Sequence, residues 1–269
     1  MRTFPKDTLA ERAAKLAPYY TTILPNGNGP FPTGMMFHGC GSARGPQIDY
    51  ARAAAKRGIA SVIVDSYAPR DIGATEAQAL VCFGWRLWGR ERAGDVLASL
   101  YWMKRQPWAL SDRVVAAGWS HGAWTIMDAL ALGSGVADHA NLTELPEDPL
   151  EGLTAAFLVY PWCGPAAQTN SRGWRKPVSA LMILAEKDSV SGVRLPLKAA
   201  EMARRSGSTV ETIIYPQATH SFDERRSINP TFEYSPDLTQ RAIDTYASWA
   251  SRQLAPVMAD DSDGIVTIL

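Results

Sequence analysis

The 269-residue chain is short of several things at once. It has three cysteines, Cys40, Cys82 and Cys163, isolated from one another and odd in number. That speaks against a disulfide framework and fits a reducing, cytoplasmic setting. Apolar runs such as AAFLVY and ALMILA fall far short of the ~20 residues a membrane-spanning helix needs. The N-terminal MRTFPKDTLAERAAKLAPYY lacks the apolar stretch of a secretion signal, so no leader is expected. There is no excess of either charge: Lys plus Arg total 27 and Asp plus Glu total 27. No net field therefore steers the chain to nucleic acid or to an anionic membrane. Histidines number only four, and no Cys/His cluster has metal-ligand spacing.

What is present is alternation. Extended apolar segments, Tyr19–Pro25, Thr33–Gly39, Ile59–Ser66, Arg113–Trp119, Leu153–Pro161, Val178–Asp188 and Val210–Pro216, read as strands. Between them lie helix-period segments, among them PQIDYARAAAKRG, ERAGDVLASLYWMKRQ with Val96, Leu100 and Met103 on one face, HGAWTIMDALALG, LPLKAAEMARRSG and TQRAIDTYASWASRQL. Tyr67–Gly89 reads as a long irregular stretch. Such alternation predicts an α/β fold: a mostly parallel central sheet with helices on both faces and right-handed crossovers. The division read from sequence is a helical N-terminal extension over 1–18, one α/β domain over 19–254, and a tail over 255–269. The loop from Gly135 to Gly152 is read as a short lid over the site. It contains a formal glycosylation sequon, Asn141–Thr143, discounted where no secretion signal is seen.

One stretch carries chemistry. In VVAAGWSHGAWTIMDALALG, residues 118 to 122 match G-x-S-x-G between a strand and a helix. That context is what a nucleophile elbow requires. Ser120 would sit in a strained turn, exposed at the carboxyl end of the sheet, with glycines two positions to either side where side chains would clash. The helix that follows aims its free N–H groups at the same place.

A serine hydroxyl needs a base, and the base needs an orienting acid. His220, in YPQATHSFD after the last strand, is placed to be the base. Asp188, at the end of LMILAEKD, is the expected acid, with Asp223 and Glu186 as fallbacks. The order Ser120, Asp188, His220 is the one this architecture uses. The glycine-rich FHGCGS loop follows the first central strand, and the backbone N–H groups of Cys40 and His121 are the expected oxyanion hole.

Together, MMFHGCGS, VIVDSYAPRDIG, Cys82, GWSHG, LAEKD and ATHSFD resemble the dienelactone hydrolase family of α/β hydrolases over roughly Tyr19 to Leu254. The resemblance implies a compact α/β-hydrolase domain without a large inserted cap, and without metal or cofactor. The founding members use a cysteine nucleophile, whereas this chain has Ser120. The resemblance is thus to the serine-containing branch, which looks like general carboxylesterases, and points away from dienelactone itself.

The activity expected is cleavage of a small-molecule carboxylic ester through an acyl-enzyme, by a monomer or homodimer that engages neither nucleic acid nor membrane. The alternatives are a peptidase or amidase with the same triad, or an inactive hydrolase fold serving as a binding protein. Trp119, Trp85 and Trp162 are candidate pocket walls. Arg70, in DSYAPR, is a candidate for binding a substrate carboxylate, its other reading being a structural clamp with Asp65 or Asp71.

Overall fold

The computed structural model describes residues 4–41, 45–81, 84–225 and 229–255. Cys82, Ser42 and residues 256–269 of the expected tail lie outside them.

In chain order the elements are β1 (Asp7–Thr8), α1 (Leu9–Leu16), β2 (Tyr20–Ile23), β3 (Phe31–Phe37), α2 (Gln47–Ala55), β4 (Ala60–Val64), α3 (Ala74–Glu76), α4 (Gly89–Met103), β5 (Ala109–Trp119), α5 (His121–Leu132), α6 (Val136–Ala140), β6 (Leu142–Thr143), β7 (Leu153–Val159), β8 (Ser179–Ala185), α7 (Arg194–Arg205), β9 (Thr209–Tyr215) and α8 (Pro236–Leu254). Seven strands form one sheet in the order β2-β4-β3-β5-β7-β8-β9. All neighbours run parallel except the edge strand β2, which is antiparallel to β4.

The sheet is covered on both faces, and its alternation shows how. Met35 and Phe37 of β3, Val62 and Val64 of β4, and Val114 and Ala116 of β5 face one cluster, which α1, α4, α5 and α7 cover. Met36, Ile63, Val115 and Ala117 point the other way, into a second cluster under α2 and α8. A period of two is what a pleated strand imposes. Because both faces are buried, the central strands read as continuous apolar runs.

Helix α5 is buried along its whole length, held between the sheet and α4. Helix α1 starts on a reciprocal cap between Thr8 and Glu11, and it contributes Leu9, Ala13 and Leu16 to the main core. It is packed structure on α4.

The 135–152 segment corrects the expectation of a lid. Leu142 and Thr143 pair in parallel with Asp7 and Thr8, and the Asn141 side-chain amide donates to the Phe4 carbonyl (3.2 Å). Glu151 pairs with Lys104, and Asp148 with Lys176. The physical reason is distance. The segment starts where α5 ends, and a 12-residue helix puts roughly 18 Å between that end and Ser120.

The irregular stretch after β4 is more ordered than its sequence suggests. It contains a 3₁₀ turn over Ala68–Arg70, the short α3 and a π-type turn over Ala77–Val81. Tyr67, Ile72, Ala77, Val81 and Leu87 form a small apolar cluster of their own there.

Candidate active site

Strand β5 passes into α5 through a single residue, Ser120, with φ 49° and ψ −110°. A non-glycine residue there is strained, and its neighbours show what the strain requires. A Cβ on Gly118 would lie 2.6 Å from the Ala123 nitrogen, and one on Gly122 would fall on the Phe37 carbonyl. The Ser120 N–H continues the sheet by donating to the Val159 carbonyl (3.0 Å).

The hydroxyl lies 2.9 Å from His220 Nε2. His220 Nδ1 lies 2.8 Å from Asp188 Oδ2. A carboxylate only accepts, so the imidazole proton sits on Nδ1 and Nε2 presents its lone pair to the serine. The other carboxylate oxygen of Asp188 accepts the N–H groups of Val190 and Ser191, both at 2.8 Å. That turn fixes the acid independently of the histidine. All three side chains are buried, and each arrives from the carboxyl end of a strand: Ser120 after β5, Asp188 after β8, His220 after β9. The triad members predicted from sequence thus meet in space.

Neither fallback acid faces His220 Nδ1. Glu186 accepts the Gln217 N–H at the surface (3.0 Å). Asp223 is buried. It accepts hydrogen bonds from Tyr160 Oη (2.5 Å), Tyr50 Oη (2.8 Å) and Trp119 Nε1 (3.0 Å). Burial raises its pKa, and the three donors oppose that rise. Tyr160 also packs on the His220 ring, centroids 4.8 Å apart. Asp223 therefore ties the histidine loop to the strand ends beside Ser120.

The proposed oxyanion donors flank the serine. Gly39 comes so close that a Cβ there would sit 3.3 Å from Ser120 Cβ, so the 38–41 loop forms one wall. His121 opens α5, where helix N–H groups have no intrahelical acceptor, and forms the other. The His121 ring is turned away from the site. Its Nε2 lies 2.8 Å from the Leu87 carbonyl, which can only accept, so Nε2 carries the proton. Burial and Arg92 push its pKa well below the usual histidine range. His38 is likewise neutral: burial and Arg92 lower its pKa, its Nδ1 donates to the Gly39 carbonyl (2.7 Å) and its Nε2 accepts the Ser66 N–H (3.3 Å).

Cysteine provides a correction. Cys163 is a free, buried thiol, but Cys40 is disulfide-bonded. The thiol content therefore no longer argues for a reducing compartment.

The structure places the four expected substrate contacts in different surroundings. Arg70 is buried and grips Asp95 through both terminal nitrogens (2.8 Å each) while donating to the Ser66 carbonyl (2.6 Å). It is a clamp on α4, with both terminal nitrogens engaged by Asp95. Trp119 is buried beneath the site, edge-on to Tyr50 with its N–H on Asp223. Trp85 is 74% exposed and stands in solvent. Trp162 lies beside the nucleophile. Its N–H donates to the Ser120 carbonyl (3.3 Å), and its half-buried ring packs on Trp124 (4.2 Å).

The loop after Trp162 is held by Asp128 of α5, which accepts the Gln168 N–H (2.7 Å). Burial raises the Asp128 pKa to about 8. The folded state thus keeps a proton that the unfolded chain, with its ordinary value near 4, has already lost. Stability from this group is fully present below pH ~4 and lost as pH rises to about 8, at up to about 1.4 kcal/mol per pH unit. Asp128→Asn, uncharged throughout, is expected to flatten that decline. Melting temperatures from pH 4 to 9 would show it, and parallel curves for the two proteins would contradict it.

Among the described residues, no group of three or more His, Cys, Asp or Glu is placed to hold a metal ion. No helix among them is long and apolar enough to cross a membrane.

No protein-family model and no curated protein matches this sequence. Solved structures do. A dienelactone hydrolase-like promiscuous phosphotriesterase from metagenomic libraries matches with a TM-score of 0.65 and 18% identity, over 87% of this chain and 98% of its own. A thermophilic esterase from the Planctomycetes species Thermogutta terrifontis matches with a TM-score of 0.61 and 14% identity, over 89% of this chain and 91% of its own. The same esterase phosphorylated by paraoxon matches with a TM-score of 0.61 and 16% identity, over 88% and 90%. At these identities it is the shape that is shared: this chain has the α/β-hydrolase fold of dienelactone hydrolase-like proteins and esterases.

Proposed function

We propose that the protein is a serine hydrolase of carboxylic esters. The observation that carries this reading is the unbroken chain from Ser120 Oγ to His220 Nε2 (2.9 Å) and from His220 Nδ1 to Asp188 Oδ2 (2.8 Å), set on a strained strand-to-helix elbow.

The steps follow from the geometry. His220 Nε2 takes the hydroxyl proton as Ser120 Oγ attacks the acyl carbon. The imidazolium that forms is held by Asp188, whose second oxygen is already fixed by two backbone N–H groups. Negative charge collects on the former carbonyl oxygen, between the 38–41 loop and the first turn of α5, where the Cys40 and His121 N–H groups receive it. His220 then protonates the leaving alcohol. Water, activated by the same base, frees the acid from Ser120. The thermophilic esterase neighbour is known in a form phosphorylated by paraoxon, which supports a nucleophile open to acyl- and phosphoryl-type electrophiles.

The substrate this reading favours lacks a negative charge near the ester. Arg70 is closed off by Asp95. The ionisable group against the 38–41 loop is instead Glu224, whose carboxylate lies where a Cβ on Gly41 would be. Burial, followed by Asp223, raises the Glu224 pKa to about 7, so it is neutral below that pH and ionised above it. Discrimination against a carboxylate-bearing ester, relative to its neutral analogue, is expected to grow as pH rises through 7. Glu224→Gln is expected to remove about tenfold of it at pH 8. Ratios of kcat/KM for a neutral and an anionic ester at pH 6 and pH 8 measure this; a ratio that does not respond to the substitution contradicts it.

The direct test of the whole reading is labelling by a fluorophosphonate probe, with esters and anilides assayed in parallel on wild type and Ser120→Ala. Labelling confined to Ser120, with ester turnover ahead of anilide turnover, supports an esterase. Faster anilide turnover would make the protein an amidase, and no labelling of the folded protein would remove the hydrolase reading.

A further inference from the structure

Arg92, on α4, is fully buried, and the triad makes no use of it. Its Nη1 donates to the His38 carbonyl (2.8 Å) and to His121 Nδ1 (3.0 Å). The acceptor role of Nδ1 follows from the tautomer, because Nε2 already carries the proton given to the Leu87 carbonyl. Tyr67 Oη shares the same lone pair (3.0 Å).

Among the described residues, no carboxylate is hydrogen-bonded to this guanidinium; Asp95 and Asp65 act on it only from a distance. Its Nε and Nη2 have no hydrogen-bond partner. Among the described residues no carboxylate lies within ion-pair reach of it, and the carboxylate one turn along, Asp95, is shared by Arg70 (2.8 Å) and Arg12 (3.7 Å). What faces Arg92 instead is the ring of Tyr67, 5.2 Å away. An arginine remains charged in a protein, and a buried charge without a partner is strongly unfavourable for folding. A methionine there would fold at less cost. The residue is placed where fold stability alone does not call for a cation.

Its two acceptors point to the reason. The His38 carbonyl begins the loop that carries Gly39 and Cys40. His121 is the residue directly after the nucleophile. One guanidinium nitrogen thus bonds both walls of the proposed oxyanion site.

We propose that Arg92 is the positioning residue of that site. It holds the 38–41 loop and the first residue of α5 in register, and it sets a fixed positive charge behind the place where negative charge develops. The proposal rests on the serine-hydrolase reading given above. It fits the general rule that preorganised charge and dipoles in a dry site contribute most of a transition state's stabilisation.

The test compares wild type, Arg92→Met, Arg92→Lys and Ser120→Ala as full chains. The readouts are kcat and KM on a neutral ester, the inhibition constant of a trifluoromethyl ketone that forms an oxyanion adduct, and thermal melting. Arg92→Met is expected to melt no lower than wild type. Its kcat should fall ~10- to 100-fold, less than the ~10² to 10³ that loss of a direct donor brings, with KM within about twofold. Inhibition by the ketone should weaken by the same factor as kcat. Arg92→Lys, which keeps the charge, should recover part of the loss.

A kcat for Arg92→Met within about threefold of wild type would overturn the proposal. So would a loss shared by kcat, KM and melting temperature that Arg92→Lys does not repair. If the methionine variant does not fold, the lysine variant decides: reduced kcat at unchanged KM supports the role, and unchanged kcat, or failure of that variant to fold, rejects it. Full turnover by Ser120→Ala would instead sink the hydrolase reading itself, and this proposal with it. A dead Ser120→Ala beside a fully active Arg92→Met rejects this proposal alone.

Discussion

Ser120→Ala is expected to lower kcat for ester hydrolysis by ~10⁶ while leaving the melting curve unchanged. Removing the hydroxyl breaks one hydrogen bond to His220 and nothing in the core. The elbow is held by other atoms: the Ser120 N–H on the Val159 carbonyl, the Trp124 N–H on the Ser120 carbonyl and the Trp162 N–H on that same carbonyl. The residual rate should exceed the uncatalysed one by ~10³ to 10⁴, the part that oxyanion donors and substrate binding supply without a nucleophile. Steady-state kinetics together with loss of fluorophosphonate labelling measure it. An alanine variant that keeps a tenth of the wild-type rate would show that the attacking group is something other than this hydroxyl.

The second large effect is expected at Asp223, on stability as well as turnover. Asp223→Ala strands three donors, Tyr160 Oη, Tyr50 Oη and Trp119 Nε1, on side chains that are themselves buried. Each orphaned group costs about 1–3 kcal/mol, and removing one side of a buried charged network costs about 3–5 kcal/mol in all. That is a large share of the ~5–15 kcal/mol that typically holds a domain together. Asp223→Asn keeps an acceptor but turns an N–H₂ toward a donor, so it should fall between wild type and alanine. Urea unfolding of the three proteins measures the order. Turnover should drop with stability, because the same carboxylate holds Tyr160 against the His220 ring. A midpoint for Asp223→Ala equal to wild type would mean the three donors find other acceptors.

The fold was legible for a physical reason that differs between elements. The strands 31–37, 60–64, 153–159 and 179–185 and the second half of β5 are largely buried on both faces, so apolar runs mark them, whereas the first half of β5, 109–113, is partly exposed and polar and carries no such run. The elbow was legible because its requirement is local. Gly118 and Gly122 touch backbone within a few residues or on the adjacent strand, and only that spacing relieves the contact. Short pairings such as β1 with β6 escaped notice, since two-residue strands have no periodicity to read.

The substrate contacts were less legible because residue type reports burial and not partner. Tryptophan is apolar enough to line a pocket or fill a core, and Trp119 fills the core while Trp162 lies beside the serine. Arg70 had both readings open; Asp95, 25 residues away in sequence, closed one of them. Arg92 was missed although a signal existed. The stripe Val96, Leu100, Met103 extends back one turn to residue 92, so helical period alone puts an arginine on the buried face of α4.

By itself, then, the amino-acid order determined the alternating strands and helices, the strained turn at Ser120, and the succession of serine, aspartate and histidine at strand ends. Those depend on steric and hydrophobic demands that neighbours in the chain impose on one another. Only the tertiary structure decided that Asp223 is a buried anchor, that Arg70 is a clamp, and that Arg92 stands behind both walls of the site. Each of those roles is set by groups 25 to 173 residues distant, and packing, which sequence spacing does not encode, chooses the partner.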